Sequence, residues 1–357
     1  MSRGLAVRGT VWRGGAELPT PDCVVIVDVD GKIARIGRSS EVALPDDLEV
    51  IGSVESWIGP GMIDAHVHLG FASAEAELQR GLVAVRDLGA PSELLAGWRA
   101  VSPSEVAAML TLVASGPILT APLGYPSTSW GADGYARFVE SPDDARSAVD
   151  LLVAEGADLV KVALEPSGGA PVPSLGVVQA IVAAAHDHGL AVTVHALSAP
   201  MVTLALDAGV DELCHVPVER LTDAEILRIV EAGVPVVSTI ETHSRNSSAT
   251  DNAARLVAAG GILIYGTDLG NAGTRAGVDA RELRHLSAAG LGPFGALRAA
   301  TQGAANAAGF GGKAGSGRLE VGEAARITML AGNPLDPAAS DTLWQHPTVI
   351  VGPRLFP

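Results

Sequence analysis

The stretch Gly59-Pro60-Gly61-Met62-Ile63-Asp64-Ala65-His66-Val67-His68-Leu69-Gly70 carries the first structural information in this chain. A Pro/Gly turn opens onto a short apolar run, and the run ends in His-x-His. On a β-strand, residues i and i+2 face the same side. His66 and His68 therefore point together at the strand's C-terminal end. Two neutral imidazoles aimed at one point suit zinc and its neighbours. Taken alone, the pair reads equally well as two histidines at a strand edge.

From Ile58 onward, apolar strands alternate with Ala-rich amphipathic stretches, the pattern of parallel βαβ units. Strands are expected at Met62–His66, Leu82–Asp87, Met109–Ser115, Leu159–Ala163, Ala191–His195, Asp211–His215, Val234–Thr239 and Ile262–Thr267. Helices are expected at Asp143–Glu155, Leu175–His188, Met201–Ala208, Asp223–Glu231 and Asn252–Ala259, then at Asp279–Ala289 and Pro293–Ala308 after the last strand. Several of them end at a glycine (Gly156, Gly189, Gly209, Gly233, Gly260), as helix C-termini prefer. Eight parallel strands with helices between them predict an α/β chain whose residues 59–310 form a (β/α)8 TIM-type barrel. Before it, Leu5–Val11, Cys23–Val29, Lys32–Ile36 and Val50–Ile58 read as short strands, with Asp30-Gly31 as a hairpin turn. After about residue 311, β character returns at Ala325–Leu330 and Thr348–Val351. Segments 1–58 and 311–357 are expected to join in one small discontinuous β-sandwich domain.

The 357 residues exceed one typical domain but suit a barrel, which folds as one unit of about 250 residues. Hydrophobic residues are 48% and aromatics only 4%, so the core has to be built from Ala, Val, Leu and Ile. A net charge of -16 argues against nucleic acid, whose binding needs basic patches. Cys23 and Cys214 are far apart in sequence and imply no disulfide framework. No apolar run reaches the roughly 18 residues of a membrane span, and Met1–Val7 is too short and broken for a signal peptide. A cytoplasmic protein acting on a small molecule is the expectation. The sequence leaves open whether it forms a homo-oligomer.

Residues able to hold a cation fall at the C-terminal ends of five expected strands. The first carries His66 and His68, the fourth Lys161, the fifth His195, the sixth His215 and the eighth Asp268. In a barrel these ends converge on one face, where active sites sit. Histidines and a carboxylate suit a zinc-like ion with an open position for water. Such an ion lowers the water's pKa toward about 7, and Asp268 can take the proton and pass it to a leaving group. A lysine ammonium has no lone pair. Carboxylation by CO2 would turn Lys161 into a carbamate able to bridge two ions, and metals about 3.5–4 Å apart are a known hydrolytic arrangement. Singly, each residue has a plain explanation. Lys161 could be an exposed strand-end lysine, His195 a core histidine and Asp268 a turn residue. Cys214, beside His215, is expected to face the core, because neighbours on a strand point opposite ways. Together, at five strand ends, these residues read as a metal site.

Gly-Met-Ile-Asp-Ala-His-Val-His-Leu, the lysine of Gly156–Val162, the two later single histidines and Gly266-Thr267-Asp268 together resemble the metal-dependent amidohydrolase superfamily. Within it, Gly81–Gly89, the Ala296–Thr301 helix and Gly317–Pro334 are similar to the imidazolonepropionase-like branch, which includes Xaa-Pro dipeptidase (prolidase)-like members. The resemblance covers nearly the whole chain and implies the barrel with its β-sandwich. It also implies a binuclear centre, with two zinc ions per chain as the expectation. His66 and His68 would bind the more buried ion, His195 and His215 the other, and N6-carboxylated Lys161 would bridge. Asp268 would bind the buried ion and shuttle the proton. Val-His-Ala-Leu-Ser stands where many relatives read Val-His-Ala-His-Gly, and Cys-His-Val where many read Glu-His-Gly. Both changes alter the pocket without removing an expected ligand.

Substrate contacts are expected from the loops Phe71–Gln79, Ala121–Phe138 and Glu241–Ala249. Tyr125 could polarise a carbonyl or simply pack its loop. His243 or Arg245 could meet the substrate or belong to a solvated loop. Arg86 and Asp87 could pair with each other. His186 and His188 suit a helix C-terminus better than catalysis. The resulting expectation is an amidohydrolase cleaving a C–N amide in a small peptide, N-acyl amino acid or cyclic amide. The alternatives are a deaminase of a heterocycle, which typically lacks the strand-four lysine ligand, and a non-catalytic barrel that binds a small ligand.

Overall fold

The computed structural model describes residues 4–45, 48–102, 105, 109–243, 246–310, 312–336 and 340–357. The N-terminal segment forms β1 (Leu5–Val11), β2 (Thr20–Val27), β3 (Ile33–Arg38) and β4 (Glu49–Pro60). Gly61 alone separates β4 from β5 (Met62–Val67). Then follow β6 (Leu82–Asp87), β7 (Thr111–Ala114), β8 (Ile118–Thr120), β9 (Ala136–Phe138), β10 (Val160–Leu164), β11 (Val192–Ala196), β12 (Glu212–Leu213), β13 (Val236–Val237) and β14 (Leu263–Ile264). The chain ends with β15 (Arg326–Leu330), β16 (Thr348–Val351) and β17 (Arg354–Phe356).

All eight expected barrel-strand positions carry a strand, the last three reduced to two residues each. They pair in parallel as β5-β6-β7 and as β14-β13-β12-β11-β10-β8-β9. The third expected strand, Met109–Ser115, is shorter than anticipated and is followed by a second strand, so that β7 and β8 flank Ser115-Gly116-Pro117. Gly116 has φ +67, and Pro117 offers no N–H to a ladder. β7 pairs with β6 and β8 with β10, so one run of chain belongs to both sheets. At the opposite edge, Ala65 N–H donates to the Tyr265 carbonyl (3.1 Å), Asp268 N–H to that of His66 (2.8 Å) and His68 N–H to that of Leu269 (2.8 Å). These bonds tie β5 to the chain leaving β14.

The helices are α1 (Ala74–Gln79), α2 (Ser92–Arg99), α3 (Pro142–Ala154), α4 (Leu175–Asp187), α5 (Ala199–Ala208), α6 (Asp223–Glu231), α7 (Ser247–Ala258), α8 (Ala280–Leu286), α9 (Gly292–Ala299), α10 (Gln302–Ala307) and α11 (Ser340–Leu343). Capping boxes start α3 (Ser141 with Asp144) and α6 (Thr222 with Glu225). The expected single helix over Pro293–Ala308 is two, because Thr301 leaves helical geometry at φ -132, ψ -101. The stretch Ala121–Phe138, expected as loop throughout, ends instead in β9, paired in parallel with β8. The core is aliphatic, as the composition requires. Val177, Val178 and Ile181 of α4 pack in one cluster with Val160, Val162, Val192 and Val194 of β10 and β11. Every residue of β5, β6, β10 and β11 is buried, as for parallel strands covered on both faces.

The two ends of the chain share one continuous sheet, in the order β17-β16-β15-β4-β1-β2-β3. β4 lies at its centre, parallel to β1 and antiparallel to β15. The β2–β3 hairpin turns at Asp28–Lys32, where Asp28 Oδ1 accepts from the N–H groups of Asp30 and Lys32, and Gly31 supplies φ +77. Among the described residues, no helix is long and apolar enough to cross a membrane.

Candidate metal and active site

Strand alternation delivers Asp64 and His66 to one face of β5, and His68 follows directly after the strand. Asp64 is buried. Its Oδ1 accepts from His66 N–H (2.9 Å) and Thr267 N–H (3.1 Å), and its Oδ2 from the Thr267 hydroxyl (2.6 Å). One carboxylate thus fixes β5 against the chain that carries Asp268. Burial pushes the Asp64 acid up to about 8, against the pull of Thr267. Asp87, at the end of β6, accepts from Leu69 N–H (2.6 Å) and Gly89 N–H (3.1 Å) and so holds the turn that follows His68.

These supports set the tautomers. His66 Nδ1 lies 3.0 Å from the Cys214 carbonyl, and His68 Nδ1 lies 3.4 Å from that of Gly89. A carbonyl only accepts, so each Nδ1 carries the proton and each Nε2 offers a lone pair. Both Nε2 atoms face Asp268 Oδ1, at 3.1 and 3.4 Å. His66 Nε2 is buried without a hydrogen-bond partner. Lone pairs converge there on a carboxylate, an arrangement that a cation reconciles. Asp268 itself stands at φ 55, a left-handed conformation rarely adopted outside glycine and Asn/Asp.

The remaining expected ligands gather around this pair. His215 Nδ1 meets the Thr239 hydroxyl at 2.9 Å. The His215 ring lies 4.7 Å from that of His66 and 4.6 Å from that of His195. His195 Nε2 donates to Glu165 Oε2 (3.2 Å), so His195 offers Nδ1. Lys161 is buried, with Nζ 2.5 Å from Cys214 Sγ. Donor atoms of three groups lie within 4.8 Å of one another: His66/His68/Asp268, His66/Cys214/His215 and His215/His243/Asp268.

Burial pulls His66 and His215 well below the ordinary imidazole range and lowers His195. Burial also works to raise the Asp268 acid, but His66, His68 and Lys161 outweigh it and hold that carboxyl well below the usual range. The His195 hydrogen bond holds Glu165 down at about 2. Neutral imidazoles beside an ionised carboxylate are the protonation states that a divalent cation requires. The donor set therefore fits the metal expected from sequence.

Of the expected substrate contacts, Tyr125 sits over the site with its ring 5.0 Å from His195. Its hydroxyl accepts from Trp130 Nε1 (2.9 Å), and burial pushes the phenol up to about 12. His243 comes within 5.5 Å of His215, ring to ring, with its Nε2 buried and unpartnered. Arg245 lies outside the described residues. A cavity of about 200 Å3 is lined by His66, His68, Phe71, Tyr125, Trp130 and Lys161 together with His195, His215 and Asp268. Through Asn271 and Ala272 it adjoins a second cavity, of about 430 Å3, bordered by Glu241 and Arg281.

One reading needs correction. Arg86 pairs with Glu212 (2.5 Å), not with Asp87, because its side chain runs inward to the Ala65 and Ala308 carbonyls. Cys214 packs in the core with Ile63 and Ala65, as expected, but its sulfur also reaches Lys161. β12 ends at Leu213, so strict alternation does not govern the residues after it. Near the end of α4, His186 and His188 pair with Asp211 and Asp150, away from the site.

Glu165, Asp64 and Trp130 were not anticipated. The first two had readable signals: Glu165 is a carboxylate directly after a barrel strand, and Asp64 shares the face of His66. Trp130 had none beyond its loop.

The amidohydrolase family model matches residues 57–352. An uncharacterized protein of Mycobacterium tuberculosis is 28% identical over 243 residues, 63% of this chain, and the chain spans only 60% of that relative's length. The solved structure of a Xaa-Pro dipeptidase with methionine bound in its active site superposes with a TM-score of 0.85 at 20% identity, over 99% of both chains. A prolidase complexed with N-methylphosphonate-L-proline gives 0.78 at 22% identity, again over 99% of both chains. At such identities the likeness bears on fold: a TIM-type barrel with an additional domain.

Proposed function

Since the chain belongs to the amidohydrolase family, we propose that it is a metal-dependent hydrolase cleaving a C–N amide bond in a small peptide, an N-acyl amino acid or a cyclic amide. One observation carries this reading. The Nε2 lone pairs of His66 and His68 meet the Asp268 carboxylate at 3.1 and 3.4 Å, in a buried pocket shared with Lys161, His195 and His215. The family and the likeness to a Xaa-Pro dipeptidase and a prolidase support hydrolysis of a C–N bond in general. We read residues 59–310 as a closed (β/α)8 barrel and segments 1–58 and 311–357 as the small β domain. The shared run β7–β8 and the bonds between β5 and the chain leaving β14 support the closure.

His66, His68 and Asp268 would hold one divalent ion and His195 with His215 a second, zinc in both places. Lys161, carboxylated on Nζ, would bridge them. Bound ions of this kind lower the pKa of water toward about 7 and draw charge from a carbonyl oxygen. Asp268 is ionised and fixed by its backbone bond to His66, and it accepts the attacking water's proton. As the C–N bond breaks, Asp268 returns that proton to the leaving nitrogen. Tyr125 remains a neutral phenol and can donate its hydroxyl proton to a substrate oxygen. His243, with a ring nitrogen within 4.8 Å of donor atoms of His215 and Asp268, or Arg245 would supply a further substrate contact.

Metal analysis combined with a mass-spectrometric screen of the metal-loaded protein tests this reading. The panel holds dipeptides, N-acyl amino acids, cyclic amides and aminated heterocycles, with ammonia assayed in parallel. The expected result is about two ions per chain and addition of water to amides without ammonia. Ammonia release from the heterocycles would replace amide hydrolysis by deamination. A protein that takes up no metal would overturn the reading altogether.

A further inference from the structure

Only 4% of this chain is aromatic, yet Phe71, Tyr125, Trp130 and Tyr135 gather on one side of the site's mouth. Phe71 and Tyr135 stack with centroids 5.8 Å apart and planes 16° from parallel. Trp130 stands edge-on to both, 6.3 Å from Phe71 and 5.4 Å from Tyr135, and 4.8 Å from the His68 ring. Its indole N–H is spent on the Tyr125 hydroxyl, and Tyr125 leans on His195. The wall therefore runs unbroken between two imidazoles of the metal site. It is firmly backed: a Cβ on Gly270, whose φ is +119, would come within 2.9 Å of the Phe71 ring. Even so, Phe71 remains 53% exposed and Trp130 36% exposed. Large apolar side chains left open beside a polar, buried centre mark a binding surface. Phe71, Tyr125 and Trp130 line the same cavity as Asp268, and Gly270, Asn271 and Ala272 line it without bulk. A flat ring has a face to lie against there, and the cavity continues directly to the reacting atoms.

We propose that this wall is a subsite for an aromatic ring, and that the substrate is an amide bearing an aryl group beside the scissile bond. The proposal rests on the amide-hydrolase reading and narrows it. Aromatic contacts favour offset or edge-on rings and add to plain burial, so an aryl group should be preferred over a saturated ring of equal size.

The test uses two matched series with the metal-loaded full chain. In one, the acyl group of an N-acyl amino acid is acetyl, cyclohexanecarbonyl or benzoyl. In the other, the amine side varies in the same way. The expected result is a kcat/KM about 10-fold higher for the aryl member than for the cyclohexyl member in one series. In Trp130→Leu and Phe71→Leu that ratio falls to near one through KM, with metal content unchanged. Equal loss on aryl and cyclohexyl substrates, leaving the ratio intact, would make the wall structural and overturn the proposal. Absence of any aryl preference in both series would also overturn it. If no amide is hydrolysed, the function reading fails separately, and a fluorescence titration with N-methylbenzamide still judges the wall. Tryptophan quenching that disappears in Trp130→Leu supports the subsite, and no quenching refutes it.

Discussion

At the residue scale, the chemistry of the centre follows from which nitrogen of each imidazole holds a proton. Backbone carbonyls at Cys214 and Gly89 decide this for His66 and His68, and so turn two lone pairs toward Asp268. Asp268→Asn keeps the size and the tolerance for left-handed backbone but cannot carry a proton between water and leaving group. We expect that variant to retain its metal and to lose at least ~10²-fold in turnover, the lower range for a general acid/base. Near-normal rates would remove Asp268 from proton transfer. Lys161 offers a different contrast, because a buried lysine whose Nζ meets Cys214 Sγ gains a clear purpose if it bridges ions. Lys161→Ala should abolish turnover and lower metal content together. Wild-type metal stoichiometry in that variant would exclude the bridge.

At the scale of elements, the site depends on how closely the chain leaving β14 approaches β5. Gly266 sits at that contact. A Cβ there would lie 2.4 Å from Val237 Cγ1, 3.1 Å from His66 Cβ and 3.2 Å from His66 N. Val237 is fully buried and stiff at χ1, so it has little room to retreat. Gly266→Ala should therefore displace His66, costing about 1–3 kcal/mol as overpacking does and weakening metal retention. Denaturant unfolding and metal analysis of the purified variant check both, and unchanged values would mean that the two strands part freely. The same geometry explains what could be read beforehand. Strands buried on both faces leave continuous apolar runs, so all eight positions were legible, as was the convergence of His66, His68, Lys161, His195, His215 and Asp268. The break at Gly116-Pro117, the short β9 and the division at Thr301 depend on single backbone angles and left no periodic trace. The place of Glu165 directly after a strand was readable, but its pairing with His195, like that of Trp130 with His68, was not. Each is a pairing between a loop and a distant strand, and periodicity carries no information about such pairs.

At the scale of the whole molecule, stability depends on buried acids that hold distant parts of the chain together. Glu77 in α1 is the clearest, because it lies away from the metal site. Its Oε2 accepts from Gly277 N–H (2.7 Å), and nearby Val278 N–H donates to the Arg80 carbonyl (3.0 Å), so this contact joins residues 200 apart in sequence. Its Oε1 is buried and unpartnered. Burial pushes the Glu77 acid up to about 7 from the ordinary 4.5, against the Gly277 hydrogen bond. Between those two values the folded protein binds the proton and the unfolded chain releases it. Raising the pH through this window therefore favours unfolding, and the loss is complete above about 7. The shift corresponds to about 3 kcal/mol, at 1.36 kcal/mol per pH unit. Glu77→Gln keeps an oxygen for Gly277 and removes the titration, exchanging the pH-dependent term for a constant one. Urea unfolding of wild type and Glu77→Gln at pH 5, 6, 7 and 8 should show the variant gaining on wild type as the pH rises, by up to about 3 kcal/mol across the series. Other buried acids titrate identically in both proteins and cancel in the difference. A gap that stays constant across the four pH values would mean that Glu77 is already ionised in the folded protein, with water reaching its free oxygen.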